Sequence, residues 1–175
     1  IGVQTVILLA GIFGKKELGI STSKLIIIIL LINVVAIFGA YLFSRISEKI
    51  GNIKTLKLTI VIWCLICLAA YLLDPKSEYI DIQFYGLGGT IGMVLGAIQS
   101  LSRSTYSKLL PDTEDHVTYF SFFDVTEKIS IVVGTFIFGF VASITNSMRN
   151  SFFVLAIFFL LGYIVLSFMR EKKEV

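Results

Sequence analysis

Three charged residues interrupt an apolar segment that begins near Thr118: Asp124, Glu127 and Lys128. If a membrane helix enters near Tyr119, Lys128 lies about 14 Å along it at 1.5 Å per residue, well below the interface. A charge there costs roughly 2.5–3.5 kcal/mol and normally faces a partner or a water-filled cavity. Glu127 and Lys128 are therefore predicted to border a path for a solute or a proton, with Asp124 tuning them. The alternative is a local Asp124–Lys128 ion pair at the end of a helix that begins three or four residues later.

A second polar cluster closes the preceding apolar segment. Seven residues able to form hydrogen bonds occupy eight positions at 99–106, and they include Gln99 and Arg103. Arg103 alone is explained by extension to the lipid headgroups, but the whole cluster is more than an anchor needs. Asn33, in the middle of another apolar segment, is interpreted as an interhelical hydrogen-bonding residue or, alternatively, as a ligand contact.

Glycines give the segment at 82–102 a distinct face. Gly88, Gly92 and Gly96 follow one another at four-residue spacing, which places small residues along one side of a helix and lets another helix approach closely. The simplest interpretation is helix packing. A functional interpretation goes further: a helix with so little side-chain bulk can rock against its partner.

The elements that must hold these residues are membrane helices. The 175 residues are 56% hydrophobic and 15% charged, whereas soluble domains carry about 25% charged residues. Apolar runs near 20 residues without period-two alternation satisfy their backbone hydrogen bonds in a bilayer only as helices. We therefore predict an all-α bundle with sequence neighbours antiparallel, and Trp63 is expected to contact lipid or the interface. The predicted spans are 1–14, 25–43, 56–73, 82–102, 119–145 and 151–169.

The first span is short and starts at the first residue, so it is interpreted as a truncated helix of a longer chain. Basic residues in short loops favour the cytoplasmic side, which places the C-terminus and the loops near Ser44 and Arg103 in the cytoplasm. Nine basic residues lie on that side: Arg45, Lys49, Lys54, Lys57, Arg103, Lys108, Arg170, Lys172 and Lys173. Five lie on the other: Lys15, Lys16, Lys24, Lys76 and Arg149.

The sequence does not support nucleic-acid binding, a metal or redox site, or enzymatic activity. The net charge of +3 is spread over the loops, so no nucleic-acid partner is predicted. Cys64 and Cys67 form a C-x-x-C pair without further ligands, and we interpret them as buried apolar residues rather than a metal or redox site. Motifs of hydrolases and of phosphate-binding loops are not found in the sequence. We predict neither an enzyme nor a cofactor.

One loop resembles a motif of the major facilitator superfamily, G-x-x-x-D-R-x-G-[RK]-[RK]. Ser44 stands for its leading glycine, Glu48 for the acid, Lys49 for the first base, Gly51 for the turn glycine and Lys54 for a trailing base. The resemblance implies that the loop joins the second and third helices of a six-helix half. There the acid is expected to cap or pair with a neighbouring helix end, and the glycine to permit a tight turn.

A longer pattern, G-x-x-Q-x-L-S-R-S, L-x-P and F-F-x-[VF]-x-x-K, resembles the branch of vacuolar amino-acid effluxers, also called the autophagy-related effluxer-like or UMF family. It is carried here by Gly96, Gln99, Leu101, Ser102, Arg103, Ser104, Leu109, Pro111, Phe122, Phe123 and Lys128. The resemblance implies the second half of a twelve-helix transporter, helices seven (truncated) to twelve, in a bacterial plasma membrane. The implied partners are the bilayer, an N-terminal six-helix half and a small solute.

That resemblance also implies roles for the polar residues. Arg103 and Lys128 are expected to bind an anionic group or to hold a cytoplasmic gate, while Asp124 and Glu127 compensate their charge. The expected reaction is transport by alternating access, with amino-acid efflux as the specific case. The competing hypothesis is a six-helix membrane module that docks a partner through its glycine face. Such a module would tolerate changes at Arg103 and Lys128 but not Gly92→Leu.

Overall fold

The structure is a computed structural model that describes residues 2–16, 18–74, 76–111, 115–145 and 150–169. These residues form an all-α bundle of six helices, which confirms the predicted fold class. The helices are α1 (Gly2–Lys16), α2 (Thr22–Ile50), α3 (Asn52–Leu72), α4 (Ile80–Leu109), α5 (His116–Thr145) and α6 (Ser151–Phe168).

Five of these helices, α2 to α6, are long and apolar enough to cross a membrane. The 30 residues of α4 and of α5 give a length of about 45 Å each, which exceeds a hydrocarbon core of about 30 Å. Both helices therefore reach beyond the apolar segments into polar sequence. α5 begins at His116, ahead of Tyr119, so the alternative of a later helix start is wrong.

The most extensive contact in the bundle joins α2 and α4, which are not neighbours in sequence. A Cβ atom built on Gly88 would lie 3.0 Å from Ile28, one on Gly92 would lie 2.6 Å from the carbonyl oxygen of Ile32, and one on Gly96 would lie 1.8 Å from that of Ala36. Residue numbers rise together along the two helices, so α2 and α4 run parallel. Gly39 of α2 completes the contact, since its Cβ would lie 1.9 Å from the carbonyl oxygen of Met93.

A second layer is formed by α3 and α6, which pack on each other. Trp63 is fully buried, and its ring stacks on Phe159 with 5.4 Å between centroids and 11° between planes. The expectation that Trp63 contacts lipid is therefore wrong, because α6 covers the indole. Phe152 of α6 also meets Phe13 of α1 and Phe138 of α5 edge to face, so α6 links three helices of the core. Cys67 is buried in the same cluster.

Local chain chemistry sets the helix ends that matter for the site. Gly51 separates α2 from α3 with φ of 91°, a conformation that L side chains rarely adopt. α4 ends at Leu109, just before Pro111, which cannot continue a helix. Asp115 accepts a hydrogen bond from the Thr118 N–H at 3.2 Å and caps the start of α5. Asp112, Arg149 and residues 170–175 lie outside the described residues.

Candidate functional site

Arg103 joins the end of α4 to the first half of α5 by an ion pair. Its Nη2 lies 3.0 Å from Asp124 Oδ1 and 4.0 Å from Glu127 Oε2. The Arg103 and Asp124 side chains are about half exposed, while Glu127 is more buried. Asp124 therefore pairs across helices with Arg103, and not along its own helix with Lys128 as the local alternative supposed.

Aromatic side chains surround this ion pair. The Arg103 guanidinium lies 5.8 Å from the centroid of the Phe123 ring, within the range of a cation–π interaction. One turn further along α4, the Tyr106 hydroxyl donates a hydrogen bond to the Tyr119 carbonyl oxygen at 2.9 Å. The Tyr106 ring packs on Phe123 and Phe120, with centroid distances of 4.9 Å and 5.7 Å.

We call this set the α4–α5 contact, and it comprises Arg103, Tyr106, Tyr119, Phe120, Phe123, Asp124 and Glu127. Residue numbers rise on α4 as they fall on α5, so the two helices run antiparallel here. Side-chain ends make the contact, and the backbones of α4 and α5 are not closely packed. Rotation of a few side chains can therefore break it without repacking a helix interface.

Lys128 lies one turn beyond Asp124 on α5 and is exposed. It is about 18 Å from the start of α5, counted from His116 at 1.5 Å per residue. Since Arg103 meets Asp124 on an antiparallel helix, Gln99, one turn before Arg103, stands at the same depth as Lys128. Lys128 makes no ion pair with a residue that the structure describes.

Gln99 and Asn33 line one cavity of about 260 Å³ between α1, α2 and α4. Its other walls are apolar and include Ile32, Phe84 and Leu95. The Asn33 amide donates to the Ile29 carbonyl oxygen of its own helix at 2.7 Å, so this hydrogen bond does not cross to another helix. The two amides are polar groups in an apolar cavity, an arrangement that orients a small ligand.

The predicted polar residues lie on three helices, and the structure brings them together in two groups. Asn33 and Gln99 line the cavity, whereas Arg103 at the end of α4 pairs with Asp124 and Glu127 of α5. Lys128 lies one turn beyond Asp124, outside both groups.

The loop that resembles the facilitator motif forms a tight turn. The Gly51 N–H donates to the Ser47 carbonyl oxygen at 2.9 Å, which closes α2. Ser44 supplies a carbonyl oxygen to the Ser47 hydroxyl. Glu48 lies 3.6 Å from Arg45 of its own helix, and this ion pair stays within α2. Two further members of the motif, Lys49 and Lys54, are exposed.

Sequence reasoning missed the role of Asn52, which directly follows the turn glycine. Its side chain is buried, and Nδ2 donates to the hydroxyl of Ser104 on α4 at 3.0 Å. The turn is therefore tied to the residue next to Arg103. An asparagine at the first position of a helix that begins after a glycine is a signal for a side-chain hydrogen bond, but the sequence does not indicate its partner.

Comparisons with known proteins agree with this architecture. Residues 1–175 match the family described as vacuole effluxer Atg22 like. An uncharacterized MFS-type transporter of Bacillus subtilis, YxiO, is 29% identical over 99% of this chain and 39% of its own length. Autophagy-related protein 22 of Candida glabrata is 28% identical over 93% of this chain and 32% of its own length. Autophagy-related protein 22 of Saccharomyces cerevisiae S288c is 28% identical over 98% of this chain and 33% of its own length.

The chain spans roughly a third of the length of these relatives. No solved structure matches it. YxiO is described as an MFS-type transporter and the matching family as an effluxer family, and neither is a class of enzyme. The long apolar helices make this a multi-pass integral membrane protein. The resemblance seen in the sequence is confirmed: the chain belongs to the vacuole effluxer Atg22-like family.

Proposed function

We propose that this chain is the C-terminal half of a transporter that moves a small solute across a membrane by alternating access. One observation carries the proposal most directly. Charged and amide side chains of α2, α4 and α5, which we take together as a polar path, lie in helices that are long and apolar enough to cross a membrane. Polar groups inside a membrane bundle are costly and mark the routes of solutes and ions.

Lys128 is the residue to which we assign the anionic group of the solute. The charge of Arg103 is offset by two carboxylates, Asp124 and Glu127. Lys128 has no such partner among the described residues, although it lies well within the length of α5. A solute carboxylate beside Lys128 would offset part of the cost of holding a charge there, roughly 2.5–3.5 kcal/mol.

The α4–α5 contact is the gate in this proposal. Its members lie between Lys128 and the end of the bundle where α4 passes into α5, so a solute leaving at that end must pass them. Side-chain rotation separates Arg103 from Asp124 and Glu127, whereas α2 and α4 stay together. By the excess of basic residues, this end faces the cytoplasm of a bacterial cell, and the transporter resides in the plasma membrane.

An amino acid is the proposed solute, and efflux is the proposed direction. The relatives belong to a family described as effluxers, and the resemblance set out above implies amino acids as the cargo. The cavity supports this class, since the Asn33 and Gln99 amides stand among apolar walls. Such walls can contact the aliphatic side chain of an amino acid, while the amides and Lys128 bind its polar groups.

The test uses the full-length gene product, purified and reconstituted in liposomes loaded with unlabelled amino acids. Exchange with external radiolabelled amino acids measures transport. We expect Lys128→Ala to abolish exchange, or to lower it at least about tenfold, which corresponds to a loss of about 1.4 kcal/mol of binding. Lys76→Ala is the matched control, because Lys76 is an exposed lysine in the α3–α4 loop.

The exchange rates of the two variants are comparable only if both proteins reach the membrane in wild-type amounts. Wild-type exchange by Lys128→Ala would show that the assignment of Lys128 is wrong. Liposomes in which the wild type exchanges no labelled amino acid, but does exchange another small anion, would contradict the amino-acid assignment and leave the transport assignment in place.

A further inference from the structure

The buried amide of Asn52 connects the turn after α2 with the end of α4. Asn52 is the first residue of α3 and is 6% exposed. Its Nδ2 donates to Ser104 Oγ at 3.0 Å. Ser104 directly follows Arg103, so this hydrogen bond ends one residue away from the ion pair with α5.

The geometry of an α-helix turns this neighbourhood into a constraint. Successive residues stand about 100° apart around the helix axis, since a turn has 3.6 residues. Ser104 faces α3 and Arg103 faces α5. Whatever fixes the direction of Ser104 therefore also fixes the direction in which Arg103 leaves the helix.

We propose that Asn52 is a positioning residue for the gate. Its hydrogen bond to Ser104 holds the last turns of α4 in the rotation that brings Arg103 against Asp124 and Glu127. The inference rests on the gate proposed above, because it concerns the same α4–α5 contact. Through the hydrogen bond of Asn52, the 44–54 segment, which turns at Gly51, is connected directly to the α4–α5 contact.

A competing account needs no hydrogen bond. Leu101 and Ala97 of α4 are buried against Phe43 of α2 and Leu56 of α3, and this apolar packing also resists rotation of α4. The two accounts differ in what removal of one hydroxyl group does. Loss of the Ser104 hydroxyl leaves the apolar cluster intact, so it disturbs Arg103 only if the hydrogen bond sets the rotation.

The experiment measures access to the solute path in the full-length protein. A single cysteine replaces Gln99, which lines the cavity one turn deeper than Arg103, and Cys64, Cys67 and any other native cysteines are replaced by alanine. A membrane-impermeant maleimide is applied from the side of the membrane at which α4 ends and α5 begins. We expect Asn52→Ala and Ser104→Ala each to raise the labelling rate roughly two- to tenfold, the range that one net hydrogen bond supplies.

Three further variants separate positioning from a general loss of structure. Ser104→Thr keeps the hydroxyl and is expected to label at the wild-type rate. Ser102→Ala, the matched control, removes a hydroxyl that bonds to the Ile98 carbonyl oxygen of its own helix, and it should also leave the rate unchanged. Asn52→Ala combined with Asp124→Asn should label no faster than Asp124→Asn alone, because both act on Arg103.

The possible failures are distinguishable. If Asp124→Asn itself does not raise labelling, the α4–α5 contact is not a gate, and the positioning role is overturned together with that part of the proposed function. If Asp124→Asn raises labelling but Asn52→Ala and Ser104→Ala do not, apolar packing sets the rotation and only the role of Asn52 is overturned. Should Asn52→Ala fail to reach the membrane, the Ser104 variants decide the question.

Discussion

α4 meets α2 and α5 in opposite ways. Against α2 it presents glycines, and a Cβ on Gly92 or Gly96 would fall within 2.6 Å of a backbone oxygen. Against α5 it presents the ends of long side chains, with Arg103 reaching Asp124 across the gap. The first interface joins backbone to backbone, whereas the second is polar and half exposed.

This contrast between the two interfaces indicates where the bundle can move. Close-packed interfaces have few alternative arrangements and resist small displacements. An interface built from ion pairs and hydroxyl groups opens when side chains rotate, and it is worth little while it is exposed. We therefore expect α2 and α4 to move as one body and the α4–α5 contact to be the place where that body separates from α5.

The largest expected effect comes from adding one methyl group to the α2–α4 interface. In Gly96→Ala the new Cβ would lie 1.8 Å from the Ala36 carbonyl oxygen, so the two backbones must separate. We expect the free energy of unfolding to fall by more than about 3 kcal/mol, above the usual cost of overpacking. Thermal unfolding of the full-length protein in detergent, followed by loss of monodispersity, measures it.

Gly86→Ala is the matched control on the same helix. A Cβ on Gly86 meets no atom within 4 Å, so the substitution should leave stability unchanged or raise it by up to about 1 kcal/mol through helix propensity. Opposite signs for two Gly→Ala changes ten residues apart are the signature of the close interface. Equal melting temperatures for Gly96→Ala and the wild type would contradict the description of α2 and α4 as one body.

The sequence predicted the first interface better than the second, and the reason is physical. A four-residue glycine repeat is a local property of one helix, so Gly88, Gly92 and Gly96 predict a close helix contact without information on the partner helix. Which helix comes close depends on the register between distant segments. Neither the choice of α2 nor the contribution of Gly39 is encoded within α4.

The polar path shows the same division between local and distant information. The depth of Lys128 follows from the rise of a helix and needs no tertiary structure. The partner of Asp124 does not follow, because Lys128 on the same helix and Arg103 on another both carry the right charge. The hydrogen bond of Asn52 to Ser104 joins residues 52 positions apart and is equally invisible in the sequence.

The next effect in size compares two ion pairs that α4 makes with its neighbours. Lys24 pairs with Asp81 at the start of α2 and α4, and Arg103 pairs with Asp124 between α4 and α5. All four side chains are about half exposed, so each pair stabilises the protein by at most about 1 kcal/mol. We expect Asp124→Asn to change transport and cavity access several-fold, and Asp81→Asn to change neither.

Glycine packing already holds α2 to α4, whereas little besides side chains holds α4 to α5. Exchange in liposomes by the protein with Gln99 intact measures transport, and maleimide labelling of the Gln99→Cys protein measures access to the cavity. Equal effects of Asp81→Asn and Asp124→Asn would remove the distinction between a fixed and an opening interface.

A smaller effect is expected at the Tyr106 hydroxyl, which bonds to the Tyr119 carbonyl oxygen. Tyr106→Phe keeps the ring packing against Phe123 and removes only this hydrogen bond, worth about 1 kcal/mol net. Labelling at position 99 should rise by about fivefold or less, the factor that 1 kcal/mol represents. Tyr119→Phe is the control, since the Tyr106 hydroxyl donates to the backbone carbonyl of Tyr119, which the substitution keeps. Faster labelling in Tyr119→Phe than in Tyr106→Phe would contradict the assignment.

The smallest effect is a pH dependence at the start of α5. Hydrogen bonds from the Thr118 hydroxyl and N–H lower the pKa of the exposed Asp115 carboxyl below its usual value. Because the folded pKa is the lower one, the carboxylate stabilises the cap above the unfolded value of about 3.9. That stabilisation is lost as the pH falls through the folded pKa.

Asp115→Asn isolates this contribution, because asparagine also caps a helix but carries no charge to lose. The difference in melting temperature between Asp115→Asn and the wild type should be constant above about pH 5 and should shift in favour of the variant below about pH 4. Other carboxylates titrate equally in both proteins and cancel. Thr118→Ala removes the hydroxyl and should make the pH-dependent change in this melting-temperature difference smaller, since that hydroxyl is the largest cause of the lowered Asp115 pKa. A difference in melting temperature that stays flat down to pH 3 would mean that the Asp115 carboxylate does not stabilise the start of α5.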